Sequence, residues 1–222
     1  MKRVIFIAIL ASTMILADGK ILYSLDFSKA DSTNTIGWMK KKGFQFLLDS
    51  KDLDFKIKNG RLEIETQKNI AGLFGIRLSN PLKNIGLVTI EWGVEKFPQG
   101  ANWEKSNNRL AIGAIFTLGT KKFSSGIPFV KSVPYFLAPF IGQQESVGKT
   151  YLGKLYKKSG RYYCVSNQKG KLVVTKFNIS KKFKQEFKKE TPPLTAFAFQ
   201  MNTKDTKNGA KAFIKKITFY SK

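Results

Sequence analysis

The chain has no histidine and a single cysteine, Cys164, in 222 residues. Without imidazole there is no Ser-His-Asp or Cys-His nucleophile and no histidine-bearing metal site. One cysteine permits neither an internal disulfide nor a thiolate cluster. Cys164 therefore reads as a small buried apolar residue. Arginine is scarce, with only Arg3, Arg61, Arg77, Arg109 and Arg161. Base-reading surfaces lean on the planar fork of arginine, so a lysine-dominated charge offers nucleic acid only diffuse attraction, and no nucleic-acid partner is expected of an exported chain. Acidic residues are few, 15 against 39 basic, for a formal charge of +24. That excess reads first as a solvated surface. Its second reading is attraction to anionic envelope polymers or lipid head groups.

What is present is apolar and aromatic. Hydrophobic residues make up 42% and aromatics 13%, with 19 Phe, enough to build a core and weighted toward strands. At the N-terminus Lys2 and Arg3 precede an apolar stretch over 4–16, and Ala17-Asp18-Gly19 offers small residues for cleavage after Ala17 or Gly19. The pattern predicts a signal peptide over 1–19, a single domain over 20–222, no transmembrane segment after cleavage, and a periplasmic or secreted location.

Beyond the leader the pattern is nearly all strand. Residues 21–27 form a first strand. The runs 54–58 and 61–66 alternate apolar and polar about Asn59-Gly60, which supplies the positive φ angles of a tight hairpin turn. Further strands are expected at 71–78, 87–95, 110–118, 161–165, 172–177, 194–201 and 210–220. In the last, apolar parity shifts across Lys215-Lys216, which predicts a β-bulge. One helix near 180–189 is expected, N-capped by Ser180 and stopped by Thr191-Pro192-Pro193. Residues 119–149 read as one long irregular segment. The fold class is all-β: a single antiparallel β-sandwich of jelly-roll or concanavalin-like type.

Two segments carry a resemblance. The run Trp92-Gly93-Val94-Glu95-Lys96-Phe97-Pro98-Gln99-Gly100-Ala101-Asn102 resembles the W-x-V-x-x-x-P-x-G-A-(D/N) signature of domain-of-unknown-function family 3047. These are bacterial, mostly exported proteins. The tail Asn202-Thr203-Lys204-Asp205-Thr206-Lys207-Asn208-Gly209-Ala210 resembles that family's closing turn before its last strand. The likeness spans roughly 37–220. It implies a jelly-roll-like sandwich akin to carbohydrate-binding modules and lectins, and no assigned activity.

Candidate sites follow from the chemistry of the side chains. Ring faces stack on sugars. Trp103, in a loop after Gly100-Ala101-Asn102, is the first binding candidate, with Tyr135 and Phe136 as further ring faces and Arg109 to attract acidic groups. For Phe123, Phe129, Tyr135, Phe136 and Phe140 of the long middle stretch, a loop that folds over and buries its own rings is the plainer reading. Trp92 shares parity with the core and reads as structural, and Trp38 stands near an exposed turn. Glu63 and Glu65, or Glu91, Glu95 and Glu104, could serve a carboxylate-dependent carbohydrate enzyme. Their alternation with core positions favours a salt-bridged surface instead, so no catalytic residue is assigned. Asp26, Asn202 and Asp205 are weak calcium candidates; an Asx turn is the plainer reading, and no metal or cofactor is expected. The expected function is an exported non-catalytic binding protein for a glycan or anionic envelope component. The alternatives are the carbohydrate enzyme and a structural envelope protein-interaction domain.

Overall fold

The computed structural model describes residues 19–222, so the leader read over 1–19 lies outside the described residues except for Gly19. Alternating side chains build two sheets. In chain order the elements are β1 (Ile21–Asp26), α1 (Thr35–Lys41), β2 (Phe44–Leu48), β3 (Asp54–Lys58), β4 (Arg61–Thr66), β5 (Ala71–Leu82), β6 (Ile85–Lys96), β7 (Leu110–Phe123), β8 (Val133–Ile141), β9 (Thr150–Tyr151), β10 (Gly160–Ser166), β11 (Val173–Asn178), α2 (Ile179–Phe187), β12 (Leu194–Asn202) and β13 (Ala210–Ser221). The first sheet runs β11-β6-β13-β4-β3, with β1 also paired to β13. The second runs β2-β5-β12-β7-β8-β10-β9. The protein is an all-β sandwich of jelly-roll type.

Period-two patterning explains the core. Val88, Ile90, Trp92 and Val94 of β6 are fully buried, facing Ala114, Phe116 and Leu118 of β7 and Phe197, Phe199 and Met201 of β12. The β3–β4 hairpin pairs Lys58 with Arg61 and turns on Asn59 (φ 52°) and Gly60 (φ 67°). The bulge falls where the parity shift predicts it. The β13–β6 register slips between Ile214 and Lys216, so that Ile214 and Ile217 both face inward.

Trp92 sits at the centre, and its Nε1 donates to Thr175 Oγ1 of β11 at 2.9 Å, with both side chains buried. Thr175→Val keeps the shape and orphans the indole N–H. We expect a loss of about 1–3 kcal/mol in chemical denaturation. Adding Trp92→Phe, which removes the donor, should cost less in the Thr175→Val background than in the wild type.

Four expectations need correction. The 119–149 segment is not irregular throughout, because it holds the end of β7 and all of β8. Pro134 and Pro139 hid that strand. Pro139 has no N–H to give, and the β7 register steps over it from Gly113↔Phe140 to Phe116↔Leu137. The sandwich is also not wholly antiparallel, since β8 and β10 pair in parallel, joined by a long crossover that carries β9. The C-terminal helix α2 is capped by Asn178, not Ser180, through Asn178 Oδ1 accepting from Lys181 N at 2.8 Å. A second helix, α1, was not expected. Asn34 Oδ1 caps it by accepting from Gly37 N, and Trp38 lies on this helix rather than in a turn.

Candidate functional site

The four ligand candidates fall in three places. Trp103 is 6% exposed, stacked on Phe140 at 4.9 Å between ring centroids and packed against Tyr162 and Tyr151. Phe136 is equally buried and meets Tyr162 and Tyr156 edge-on. Phe136 and Phe140 point to the outer face of β8, opposite the core-facing Leu137 and Ile141. The loop carrying Trp103 folds over that outer face and makes a second apolar cluster with Leu110, Tyr151 and Cys164. Tyr135 points the other way, against Phe183 and Phe187 of α2 and Phe123 of β7. The ligand-stacking role expected of Trp103, Tyr135 and Phe136 is therefore corrected, because their faces are spent on other rings of the protein, which for Tyr135 and Phe136 is the plainer of the two readings. Tyr162, half-buried between Trp103 and Phe136, has its phenol pushed up to about 12 by burial.

Arg109 is committed as well. Its Nη2 meets Asp205 Oδ2, its Nε donates to Lys204 O at 2.7 Å, and its carbonyl accepts from Trp103 Nε1 at 3.1 Å. The stretch 92–102 and the closing turn 202–210 converge here. Gln99 and Lys207 exchange backbone hydrogen bonds at 3.0 Å each way. The Asn208 side chain donates to Gln99 Oε1, and Asn107 Nδ2 reaches Gly100 O. Hydrogen bonding to Arg109 and the charge of that residue hold the Asp205 carboxyl below its usual range.

Sequence reasoning passed over Glu145, which is 2% exposed. Its Oε1 accepts from Trp103 N at 2.9 Å, and its Oε2 accepts from Gln143 N at 2.7 Å and Gln144 N at 3.0 Å. The Cys164 thiol lies beneath, fully buried, and is pushed up by that burial. Glu145 is a clamp that holds the Trp103 loop to the chain after β8.

The calcium candidates do not assemble. Asp26 is in register with Lys216 on β13, while Asn202 and Asp205 stand at the closing turn, where Asn202 Oδ1 accepts from Lys204 N in an Asx turn. Among the described residues no group of three or more His, Cys, Asp or Glu side chains could hold a metal. The carboxylates offered for acid–base work are ion-paired. Arg61 bridges Glu63 and Glu95, Lys211 reaches Glu65, Lys215 reaches Glu91, and Lys149 reaches Glu104.

The place where an aromatic ring and surplus cations meet an open cavity is elsewhere. A cavity of about 240 Å³ is lined by Ser24, Leu25, Asp26, Lys29, Trp38, Lys42 and Lys216. Strand β1 supplies its floor, the short turn after it supplies Lys29, and α1 with its C-cap supplies Trp38 and Lys42. Trp38 is half-buried, braced by Phe27 at 5.6 Å, and Lys42 Nζ lies 5.6 Å from its ring centre. Asp26 is the one carboxylate in the lining. Burial opposes its ionisation, yet hydrogen bonds from the Ser28 hydroxyl and amide and the charges of Lys216 and Lys29 hold it below the usual carboxylate range. The site thus presents three ammonium groups, one already-engaged carboxylate and an indole wall.

No protein-family model matches the chain, and no curated protein matches it. Solved structures give distant likenesses. The Emp46p carbohydrate recognition domain in its potassium-bound form is 11% identical, with 89% of this chain and 96% of that chain covered and a TM-score of 0.47. The apo BiXyn10A CBM1 structure is 11% identical, with 91% and 99% covered and a TM-score of 0.41. The low-affinity xylan binding module CBM86 from Roseburia intestinalis is 11% identical, with 81% and 96% covered and a TM-score of 0.34. Likeness at this level does not carry a ligand from one chain to another.

Proposed function

We propose that the protein is an exported, non-catalytic binding protein for an acidic glycan of the cell envelope, and that it takes the glycan at the Trp38 cavity. The observation that carries this reading is the convergence of Trp38 with Lys29, Lys42 and Lys216 on one opening. An indole gives a sugar ring its apolar contact, and three ammonium groups give a carboxylate, sulfate or phosphate substituent its charge complement. Lys42 leaves the indole face to meet that substituent as the sugar takes its place. The leader pattern at the N-terminus supports export.

Isothermal titration against acidic and neutral polysaccharides tests this reading. The acidic polymer should bind, more weakly as salt rises, and the neutral polymer should bind poorly. Trp38→Ala should weaken binding about tenfold or more, as a central aromatic contact does. The paired Lys42→Ser, Lys216→Ser variant, which leaves the Phe27 bracing intact, should flatten the salt dependence. Equal affinity for neutral and acidic polymers, or unchanged affinity in both variants, would refute it.

A further inference from the structure

The connection between β7 and β8 ends in a bare apolar tip. Phe129 is fully exposed (106%), beside Ile127 at 50% and Val130 at 38%. Phe129 adopts φ 64°, a left-handed conformation that is uncommon for a bulky residue, and its ring has no partner ring among the described residues. The root of the same loop is fixed. Ser125 is buried, and its hydroxyl donates to Ile127 O and accepts from Ile127 N. Tyr156 ties in both sides, its N–H donating to Ser125 O at 3.1 Å and its hydroxyl to Lys131 O at 2.7 Å. The loop is therefore held in shape with its apolar residues turned outward. A segment that folded to bury its own rings would do the reverse.

The charge around the tip has one sign. Lys121 and Lys122 precede it, Lys131 follows it, and the Tyr156 contacts bring Lys157 and Lys158 alongside; all five are exposed. From Lys105 to Gln185 the sequence has one acidic residue, Glu145, and that one is buried and bonded to backbone amides. An exposed Phe-Ile-Val tip in a lysine collar matches an anionic bilayer surface. Apolar side chains enter the acyl boundary while ammonium groups meet phosphate head groups. A protein partner of ordinary composition would set carboxylates against the collar but would not require the apolar tip to stand clear of it.

We propose that the 124–132 loop is a membrane-docking element that inserts Ile127, Phe129 and Val130 into the interface of an anionic lipid bilayer. This proposal does not depend on the Trp38 cavity.

The test uses the full chain with vesicles of phosphatidylcholine containing phosphatidylglycerol, and with pure phosphatidylcholine vesicles as control. Wild-type protein should sediment with the anionic vesicles. The paired Ile127→Ser, Phe129→Ser variant should bind about tenfold or more weakly, while its circular dichroism and melting are unchanged. Phe129→Trp should add fluorescence that is quenched by lipids brominated in their acyl chains. That readout is local to the loop and independent of the N-terminal apolar run, which every variant shares. Trp38→Ala should bind vesicles like the wild type, which separates this proposal from the glycan reading. Undiminished binding by the Ser pair would reduce the contact to charge adsorption and overturn the proposal. So would absence of added quenching in the Phe129→Trp protein, or binding to both vesicle types alike.

Discussion

Gly209→Val should prevent folding or cost more than about 4 kcal/mol, beyond the ordinary range for a point substitution. Two effects add. Gly209 has φ +61°, where a β-branched residue is strained by about 1–3 kcal/mol. Any Cβ there would also stand 1.9 Å from the Thr66 carbonyl oxygen and 2.7 Å from Gln67 Cα, both backbone atoms. Backbone cannot swing aside as a side chain can. The clash falls where β13 begins its pairing, because Ala210 is the partner of Thr66. Since β13 also pairs with β6 and β1, a displaced start disturbs the centre of the first sheet. Gly170 supplies the control. Its φ is +70°, but a Cβ there meets nothing within 4 Å, so Gly170→Ala should cost only about 1 kcal/mol. Denaturant melts of Gly209→Ala, Gly209→Val and Gly170→Ala check the ordering. If Gly209→Ala costs no more than Gly170→Ala, the contact with Thr66 is not what makes this position glycine.

Much of this architecture is legible in the sequence because alternation is a direct consequence of strand geometry. Phe55, Ile57, Leu62 and Ile64 alternate with charged residues, and the β3–β4 hairpin follows with its turn. Parity also locates the bulge before Ile217. It fails where covalent chemistry breaks the signal. Pro134 and Pro139 disguise β8, and β2 exposes Leu47 and Leu48, so its pattern is blurred. Parity fails at the candidate site for a different reason. It sorts side chains into two faces but does not say that the outer face meets water. Phe136 and Phe140 point outward and are buried anyway, because the Trp103 loop lies over Phe140 and Tyr156 and Tyr162 cover Phe136. The fate of Arg109 is likewise decided by Asp205, 96 residues away, and local pattern does not reach that far.

Charge shows the same division between composition and placement. With 39 basic and 15 acidic residues, pairing every acid still leaves 24 cations, so an unbalanced surface is certain from composition alone. Where the imbalance meets an aromatic or apolar group is a matter of fold. At the Trp38 cavity, Lys216 arrives from β13 and Lys42 from the end of α1. At the loop tip, Lys157 and Lys158 arrive through the hydrogen bonds of Tyr156. Neither grouping is continuous in the chain.

Glu145→Ala should cost about 3 kcal/mol and loosen the Trp103 loop while leaving the main core in place. The carboxylate accepts from three backbone amides, those of Trp103, Gln143 and Gln144, and its removal orphans all three. Each orphaned amide costs about 1–3 kcal/mol where water cannot reach it, and less at the exposed residues Gln143 and Gln144, so the sum falls below three full penalties. Trp103 packs with Phe140, Tyr151 and Tyr162 in the outer cluster, whereas Trp92 lies between the sheets. The near-ultraviolet signal of Trp103 should therefore weaken and its quenching by acrylamide rise, with the Trp92 environment unchanged. Glu145→Gln tests the chemistry rather than the volume. It keeps one acceptor oxygen, but its NH2 faces an amide donor, so the variant should fall between wild type and alanine. If glutamine is as stable as glutamate, shape alone accounts for the site. If alanine leaves the Trp103 signal intact, the loop is held by its ring stacking, and Glu145 contributes no clamp.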